Sequence, residues 1–351
     1  MKKTVRMAVV GIRSTSIGNH YAETIAANPD AELAAICDTN EECIRERGAF
    51  YGLAPENVYT DFYEMIKRED IDAVCIVTPD QFHKDYVTTA LRAGKDVLCE
   101  KPMALSGDDC KEMIDVSDET GKKLMIGQIC RFTPGFVLAK ELIDAGEIGE
   151  ISFIESEYAH KYENISTGWR YADPDRNVVV GGGCHAVDLI RWLAGDPVEV
   201  SAYANKMIND QWLYPDTTIA ALKFKSGAIG KVMISGGSKR AYTMRTCIHG
   251  TKGSIIVDNK SPQMSLFKDT FEGESTFHHI VAHNIEIKLP VQIKDHNVGG
   301  EVDHFINVCL GKEEMKIDGI EGCNTVIVSE AIVNSSKSGQ KIRPQYKTRK
   351  A

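Results

Sequence analysis

Glu100-Lys101-Pro102 sets a lysine between a carboxylate and a proline, directly after an apolar run, Asp96-Val97-Leu98-Cys99, that reads as a buried strand. Proline fixes its own φ and restricts the residue before it, so Lys101 is expected to be extended and kept out of a helix. A neighbouring carboxylate favours the ammonium, while desolvation favours the neutral amine. A lysine balanced between the two suits proton transfer or polarisation of an oxygen. On the tripeptide alone a solvated lysine at a strand end is the better reading, and the rest of the chain reverses that. The second candidate is His185, which follows Gly181-Gly182-Gly183-Cys184. Histidine changes charge near neutral pH without help. The glycines allow close backbone approach and a side chain facing a pocket. The alternative is a structural histidine capping the helix that begins near it.

A cofactor signal precedes both. Gly11-Ile12-Arg13-Ser14-Thr15-Ser16-Ile17-Gly18 lies between a strand and a helix, where glycines let a backbone approach a pyrophosphate at the helix N-terminus. The G-x-G-x-x-G pattern is degraded: two residues are added and Arg13 stands at the middle glycine. Asp38 ends the second strand, where an acid can accept hydrogen bonds from a ribose 2′-hydroxyl and repel a 2′-phosphate. Thr39 and Asn40 follow, with no adjacent basic residue, so NAD is expected over NADP. Arg13, a basic residue in the loop, is the feature that could reach a phosphate. Asp38 could also serve as a helix N-cap.

Behind these residues the first third of the chain alternates strands and helices. Val5–Val10, Glu32–Cys37, Asp72–Val77, Asp96–Cys99 and Lys122–Gly127 are near-continuous apolar strands. Helices run from the first glycine turn to Ile25, from Asp85 to Ala93, and ahead of Lys122. This pattern predicts a parallel sheet covered on both faces, a doubly wound nucleotide-binding domain. After about Arg131 the strands become alternating. Ile151–Tyr158, Thr217–Phe224, Ala228–Ser235, Arg245–His249 and Ser254–Val257 are separated by tight turns such as Ser226-Gly227, with a helix over Ala186–Leu193. Period-two strands with short turns predict an open, mostly antiparallel sheet with one face covered. Lys260–Val298 reads as long and irregular, a loop over a neighbouring active site or a lid. Gly299–Leu310 and Gly319–Ser336 are helical in pattern. The expected fold is α/β: a Rossmann domain over residues 1–130, then an α/β domain over 131–351 for substrate and oligomer contacts, with the last helices able to return to either domain.

At 351 residues two domains are expected. A net charge of −9 argues against nonspecific nucleic-acid binding and against anchoring on anionic membranes. The ten cysteines form no C-x-x-C pair, which argues against a zinc ribbon and suits a reducing compartment. A strand begins within the first residues, no signal segment precedes it, and no apolar run is long enough to span a bilayer, so a cytoplasmic protein is expected. His278, His279 and His283 tempt a metal reading, but their flanks read as strand, where a spacing of four is about 13 Å. No metal is expected.

The chain resembles the glucose-fructose oxidoreductase / inositol dehydrogenase / rhizopine-catabolism oxidoreductase family (Gfo/Idh/MocA) over nearly its whole length. Ile17-Gly18-Asn19-His20 looks like the family's opening, and Thr78-Pro79-Asp80-Gln81-Phe82-His83 like its A-T-P-N-x-x-H segment. Glu100-Lys101-Pro102 looks like its central motif and Arg131-Phe132-Thr133-Pro134 like R-R-F-x-P. Gly181 to Leu189 looks like the segment ending H-x-x-D-L, and Ser335 to Gln340 like the C-terminal S-A-x-x-G-x. The order and spacing of these motifs together are specific.

The resemblance implies NAD(P)-dependent oxidation or reduction of a hydroxyl or carbonyl, usually on a sugar or cyclitol, and assembly as dimers or tetramers through the open sheet. It implies a cofactor-binding set of Gly11, Arg13, Ile17, Gly18, Asp38, Thr78, Pro79, His83, Glu100 and Lys101. It implies His185 as the acid/base and Lys101 as the group polarising the oxygen, with roles that could be swapped or shared. For substrate, Tyr158, His160, Trp169, Arg170 and Tyr171 form an aromatic and basic cluster suited to sugar faces and hydroxyls, joined by Arg131 and Asp188 of the motifs. Trp169 could equally be a core residue. One position departs from the family: the aspartate four residues before the histidine is Gly181 here. Asp173, Asp175 or Asp188 could replace it. Redox-neutral glycoside cleavage through transient oxidation, and a catalytically silent NAD or sugar sensor, are the competing functions.

Overall fold

A computed structural model describes residues 4–13, 16–162, 170, 173, 176–269, 284–291 and 296–349. The chain divides into two compact units. One comprises Met1–Ile129, Asn297–Ile327 and Gln345–Ala351; the other comprises Cys130–His296 and Val328–Pro344.

The first unit opens with β1 (Val5–Val10), α1 (Gly18–Ala27), β2 (Ala31–Cys37), α2 (Glu41–Phe50), β3 (Val58–Tyr59) and α3 (Phe62–Met65). β4 (Ala73–Ile76), α4 (His83–Arg92), β5 (Asp96–Glu100), α5 (Gly107–Thr120) and β6 (Leu124–Gly127) follow. The six strands are all parallel, in the order β3-β2-β1-β4-β5-β6. β4 and β6 are buried at every residue, which is why they read as apolar runs without alternation. Helix ends are set locally. Asn40 caps α2, accepting from the Cys43 N–H at 3.0 Å, while α5 starts on Ser106 and stops at Gly121 with φ +63°. The strand order reverses between β1 and β4, and ligands of doubly wound sheets bind at the carboxyl ends beside such a reversal.

The second unit contains α6 (Pro134–Asp144), β7 (Ile151–Ala159), α7 (Val178–Gly181), α8 (Cys184–Ala194), β8 (Pro197–Asn205) and β9 (Thr217–Phe224). β10 (Ile229–Ser235), β11 (Thr243–Gly250), β12 (Gly253–Asp258), β13 (Met264–Asp269) and β14 (Asn284–Leu289) complete its sheet. The order is β14-β13-β12-β11-β7-β10-β9-β8, antiparallel throughout except for the β7–β10 pair. Alternation in β9 turns Thr218, Ala220, Leu222 and Phe224 inward and leaves Ile219, Ala221 and Lys223 outside. α8 packs on β7 and β10 over the inner face. Each of its buried leucine and isoleucine side chains contributes roughly 1.5–3 kcal/mol. On the outer face, register places Tyr203 of β8 beside Ile219 of β9, and both are exposed.

Two elements differ from the sequence reading. β8 was not anticipated. The Lys260–Val298 segment is not simply an irregular loop: its described parts form β13 and β14, which extend the sheet. Two last helices follow, α9 (Val298–Cys309) and α10 (Gly319–Ser338). α9 packs on α1 within the first unit, and the chain passes from the first unit to the second between Ile327 and Val328 of α10.

Candidate active site

In the first unit the glycine turn is built for close approach. Gly11 has φ +99°, and a Cβ there would overlap the Val77 carbonyl. A Cβ at Gly18 would lie 2.5 Å from the Gly11 carbonyl oxygen. Ile17 stands at the N-cap of α1 and no side chain caps that helix, leaving its dipole end available to an anion. Arg13 turns toward Asp38 rather than away from it: its Nε donates to Asp38 Oδ1 at 3.3 Å. Asp38 is buried and accepts from the Asn40 N–H at 2.9 Å, but Asn40, not Asp38, caps α2.

At the end of β4, Thr78 and Pro79 lead into α4. His83 is fully buried with Nδ1 2.8 Å from the Pro102 carbonyl and Nε2 2.9 Å from the Thr78 carbonyl. Both ring nitrogens lie within hydrogen-bond distance of carbonyl oxygens, which ties the Thr78-Pro79 turn to the Lys101–Pro102 segment. The Lys101–Pro102 peptide is cis. Lys101 is about a quarter exposed, its Nζ 3.9 Å from Glu100 Oε2, and its N–H donates to the same oxygen at 3.0 Å. Glu100 Oε1 accepts from Tyr21 Oη at 2.8 Å. The Glu100 carboxylate thus engages both Tyr21 and Lys101.

The first unit fits a dinucleotide on structural grounds. Besides the glycine turn and Asp38, two polar side chains at the carboxyl ends of the strands are buried without a hydrogen-bond partner among the described residues. They are Thr78 Oγ1 and both amide atoms of Gln128. Glu100 pairs in register with Gly127, so Gln128 follows beside Lys101. Buried polar atoms left unpaired are costly and mark places where a ligand's polar groups would meet them. Gln128 was missed from the sequence; its signal was a polar residue directly ending an apolar strand.

In the second unit the three glycines are explained by what they touch. A Cβ at Gly181 would overlap the Arg176 guanidinium. At Gly182 it would overlap Tyr162 Oη and lie 2.8 Å from Tyr158 Oη, and at Gly183 it would meet Ile234. The position where the family carries an aspartate thus borders a buried guanidinium, and no side chain fits there unless Arg176 moves. His185 is buried in the first turn of α8, with Nδ1 3.6 Å from Cys130 Sγ. Its ring faces His296 at 5.1 Å and Tyr158 at 6.1 Å between centroids. His185 does not cap α8, whose N-cap is Gly183.

Tyr158 and His160 lie within one aromatic cluster, several of whose members were missed. Tyr158 Oη and Tyr162 Oη are 2.8 Å apart, His160 stacks on Tyr162 at 4.7 Å, and Tyr242 meets both Tyr158 and His160. Tyr242 Oη is 3.1 Å from His296 Nε2. Burial raises the Tyr158 and Tyr242 hydroxyls, which keeps them protonated, and burial lowers His160, which favours its neutral ring. Arg170 enters through its backbone: its carbonyl accepts from Tyr214 Oη at 2.6 Å. Trp169, Tyr171, Asp175 and the histidines 278, 279 and 283 lie outside the described residues.

Arg131 and Asp188 form a buried bidentate pair, Nε to Oδ2 at 2.9 Å and Nη2 to Oδ1 at 2.7 Å, with Asp188 fully inaccessible. Both carboxylate oxygens accept from the guanidinium. The pair ties the segment around Arg131 to α8.

Comparison with known proteins accords with this geometry. Residues 5–128 match the oxidoreductase family, NAD-binding Rossmann fold, and residues 136–256 match the GFO/IDH/MocA C-terminal domain. The chain belongs to this family of NAD-binding oxidoreductases and is a dehydrogenase acting on CH–OH groups. It is 32% identical to the inositol 2-dehydrogenase of Rhizobium meliloti (strain 1021), over 74% of this chain and 77% of that one. It is 30% identical to the scyllo-inositol 2-dehydrogenase (NAD(+)) of Bacillus subtilis (strain 168), over 73% and 75%. In fold it is similar to a levoglucosan dehydrogenase solved with NADH, with a TM-score of 0.85 at 21% identity, covering 98% of this chain and all of that one.

Proposed function

We propose that the protein oxidises a secondary hydroxyl of a cyclitol, an inositol first among candidates, or of a closely related sugar, with NAD as the acceptor. The observation that carries this is Lys101, partly exposed at the mouth of the parallel sheet and held by Glu100. The inositol-directed relatives supply the substrate class. Bound NAD would accept the hydride from the carbinol carbon. Gly11, Gly18, Ile17, Thr78 and Gln128 would hold it, with Asp38 on the ribose. Asp38 is buried and negative and already engages Arg13, so a 2′-phosphate would meet a carboxylate rather than a free guanidinium. That favours NAD over NADP.

Lys101 then donates to the reacting oxygen and polarises it, and a general base takes the hydroxyl proton as the carbonyl forms, the role the family resemblance gives His185. Tyr158, His160, Tyr162 and Tyr242 supply an aromatic wall with fixed hydroxyls, the composition expected of a polyol site. The outer face of the second sheet, with Tyr203 and Ile219 exposed side by side, would pair with a second copy of the chain. The ten cysteines, none of them in a disulfide among the described residues, suit a reducing cytoplasm. The test is absorbance of reduced nicotinamide as inositols, sugars and sugar acids are added to the protein with NAD, with Lys101→Met as the control. A rise with a cyclitol in the native protein alone supports the proposal. No rise with any polyol, when NAD binding is measured separately, contradicts it.

A further inference from the structure

Behind Lys101 lies a chain of buried groups that hydride transfer does not itself require. Tyr21 Oη is 2.8 Å from Glu100 Oε1 and 2.6 Å from Glu301 Oε1. A phenol carries one hydrogen. Two ionised carboxylates cannot both accept it, so one of the two must bring its own proton and donate to the phenol oxygen.

The surroundings decide which. Glu100 Oε2 already has partners: it accepts from the Lys101 N–H and lies 3.9 Å from Lys101 Nζ. Glu301, on α9, is completely buried, and its Oε2 has no hydrogen-bond partner among the described residues. A Cβ at Gly127 would lie 3.0 Å from Glu301 Oε1, so the glycine ending β6 leaves room for this carboxyl. The titratable groups facing Glu301 are Tyr21 of α1, Glu100 and Lys101 at the end of β5, and Cys75 of β4. Burial first, and the Glu100 charge second, push Glu301 up to about 8, against the Tyr21 hydrogen bond and the Lys101 charge. Burial also raises the Cys75 thiol, which leaves it neutral.

We propose that Glu301 is a positioning residue for Lys101. It carries the proton, donates to Tyr21, and so turns the Tyr21 hydroxyl onto Glu100, which leaves the remaining Glu100 oxygen to hold the lysine. The arrangement fixes one negative charge behind Lys101. When Glu301 ionises, the charge becomes two, the phenolic hydrogen is contested, and the ammonium is held more tightly. Glu301→Gln keeps an amide donor for Tyr21 and locks the single charge. This inference rests on the reading that Lys101 acts on the substrate oxygen, but its test needs no turnover.

The experiment is a pH titration of the full-length protein without added substrate. Infrared difference spectra follow the protonated carboxyl, and NMR of carbon-labelled lysines follows Lys101, assigned with Lys101→Met. Native protein should show a protonated-carboxyl band at neutral pH that fades around pH 8, as Glu301 does. Glu301→Gln should lack that band, and its Lys101 midpoint should fall by about one unit, the scale of one nearby charge. Tyr21→Phe, which removes the partner that Glu301 donates to, should shift the carboxyl step. The proposal is overturned by a band unchanged in Glu301→Gln, by an unmoved Lys101 midpoint, or by a carboxyl step that ignores Tyr21→Phe. Titrations that behave as stated in a protein that turns over no polyol would count against the assigned function and leave the chain of groups standing.

Discussion

Lys101 and His185 stand in surroundings made of different materials. The lysine is set by charge and proton count: Glu100 touches it, Tyr21 bridges Glu100 to Glu301, and Glu301 is neutral because it is buried. The histidine is set by shape: rings of Tyr158 and His296 flank it, a thiol faces one nitrogen, and three glycines bring two phenols and a guanidinium close to its helix. The first arrangement tunes how firmly a proton is held. The second fixes the orientation of the ring. The two residues proposed to handle the proton therefore sit in unlike surroundings, one built from charge and one from shape.

The largest expected effect removes one side of the contrast outright. Lys101→Met should lower kcat for cyclitol oxidation by about 10²–10⁴-fold while NAD affinity changes little, and His185→Asn should do likewise. Steady-state rates and NAD titration measure both. If either variant retains native turnover, that side of the comparison is decorative.

The next effect is on stability. Asp188→Asn leaves a buried guanidinium with a neutral partner and should cost about 3–5 kcal/mol in urea unfolding, whereas an exposed pair such as Arg45–Glu41 should cost about 0–1 kcal/mol. Equal costs would mean that Arg131 and Asp188 are not the lock assigned here. Gly182→Ala should cost about 1–3 kcal/mol by overpacking and raise KM for the polyol, since its Cβ would press on Tyr158 and Tyr162.

The pH dependence separates the two regions further. Glu301 keeps its proton in the folded protein where an unfolded carboxyl has lost it. The folded state therefore binds more protons between the ordinary carboxylate range and about 8, and stability falls as pH rises across that window. The contribution is complete below the window and lost above it. Glu301→Gln should flatten this slope in urea unfolding measured from acid to mildly alkaline pH; an unchanged slope would place the proton elsewhere. The smallest expected effect is Asp38→Asn, which should narrow the preference for NAD over NADP by about tenfold, one charge-assisted hydrogen bond's worth, in paired KM measurements.

How much was legible in the sequence follows the same division. The glycine turn, Asp38 and Glu100-Lys101-Pro102 could be read because each is local, its partners within a few residues or at the end of an apolar strand. Tyr21 and Glu301 are 280 residues apart and meet only through the packing of α1 against α9, so no spacing rule could join them. Tyr158 and His160 were visible because they alternate on β7 and its extension. Tyr242 and His296 reach the same pocket from segments outside regular strands, where periodicity carries no information. Arg131 and Asp188 are 57 residues apart, so their buried pairing was not visible as a local spacing. β14 lay within a segment read as irregular, although the flanks of His283 already read as strand and Ile285, Ile287 and Leu289 alternate in it.

The most direct test of the central claim uses an inositol carrying deuterium on its carbinol carbons, with NAD and the purified protein. Mass analysis of the recovered nicotinamide reads whether the label moved. The account predicts deuterium in the reduced nicotinamide, one atom for each carbonyl formed, and none with Lys101→Met. Carbonyl formation without transfer of the label, or no reaction from a protein that binds both NAD and inositol, would contradict it.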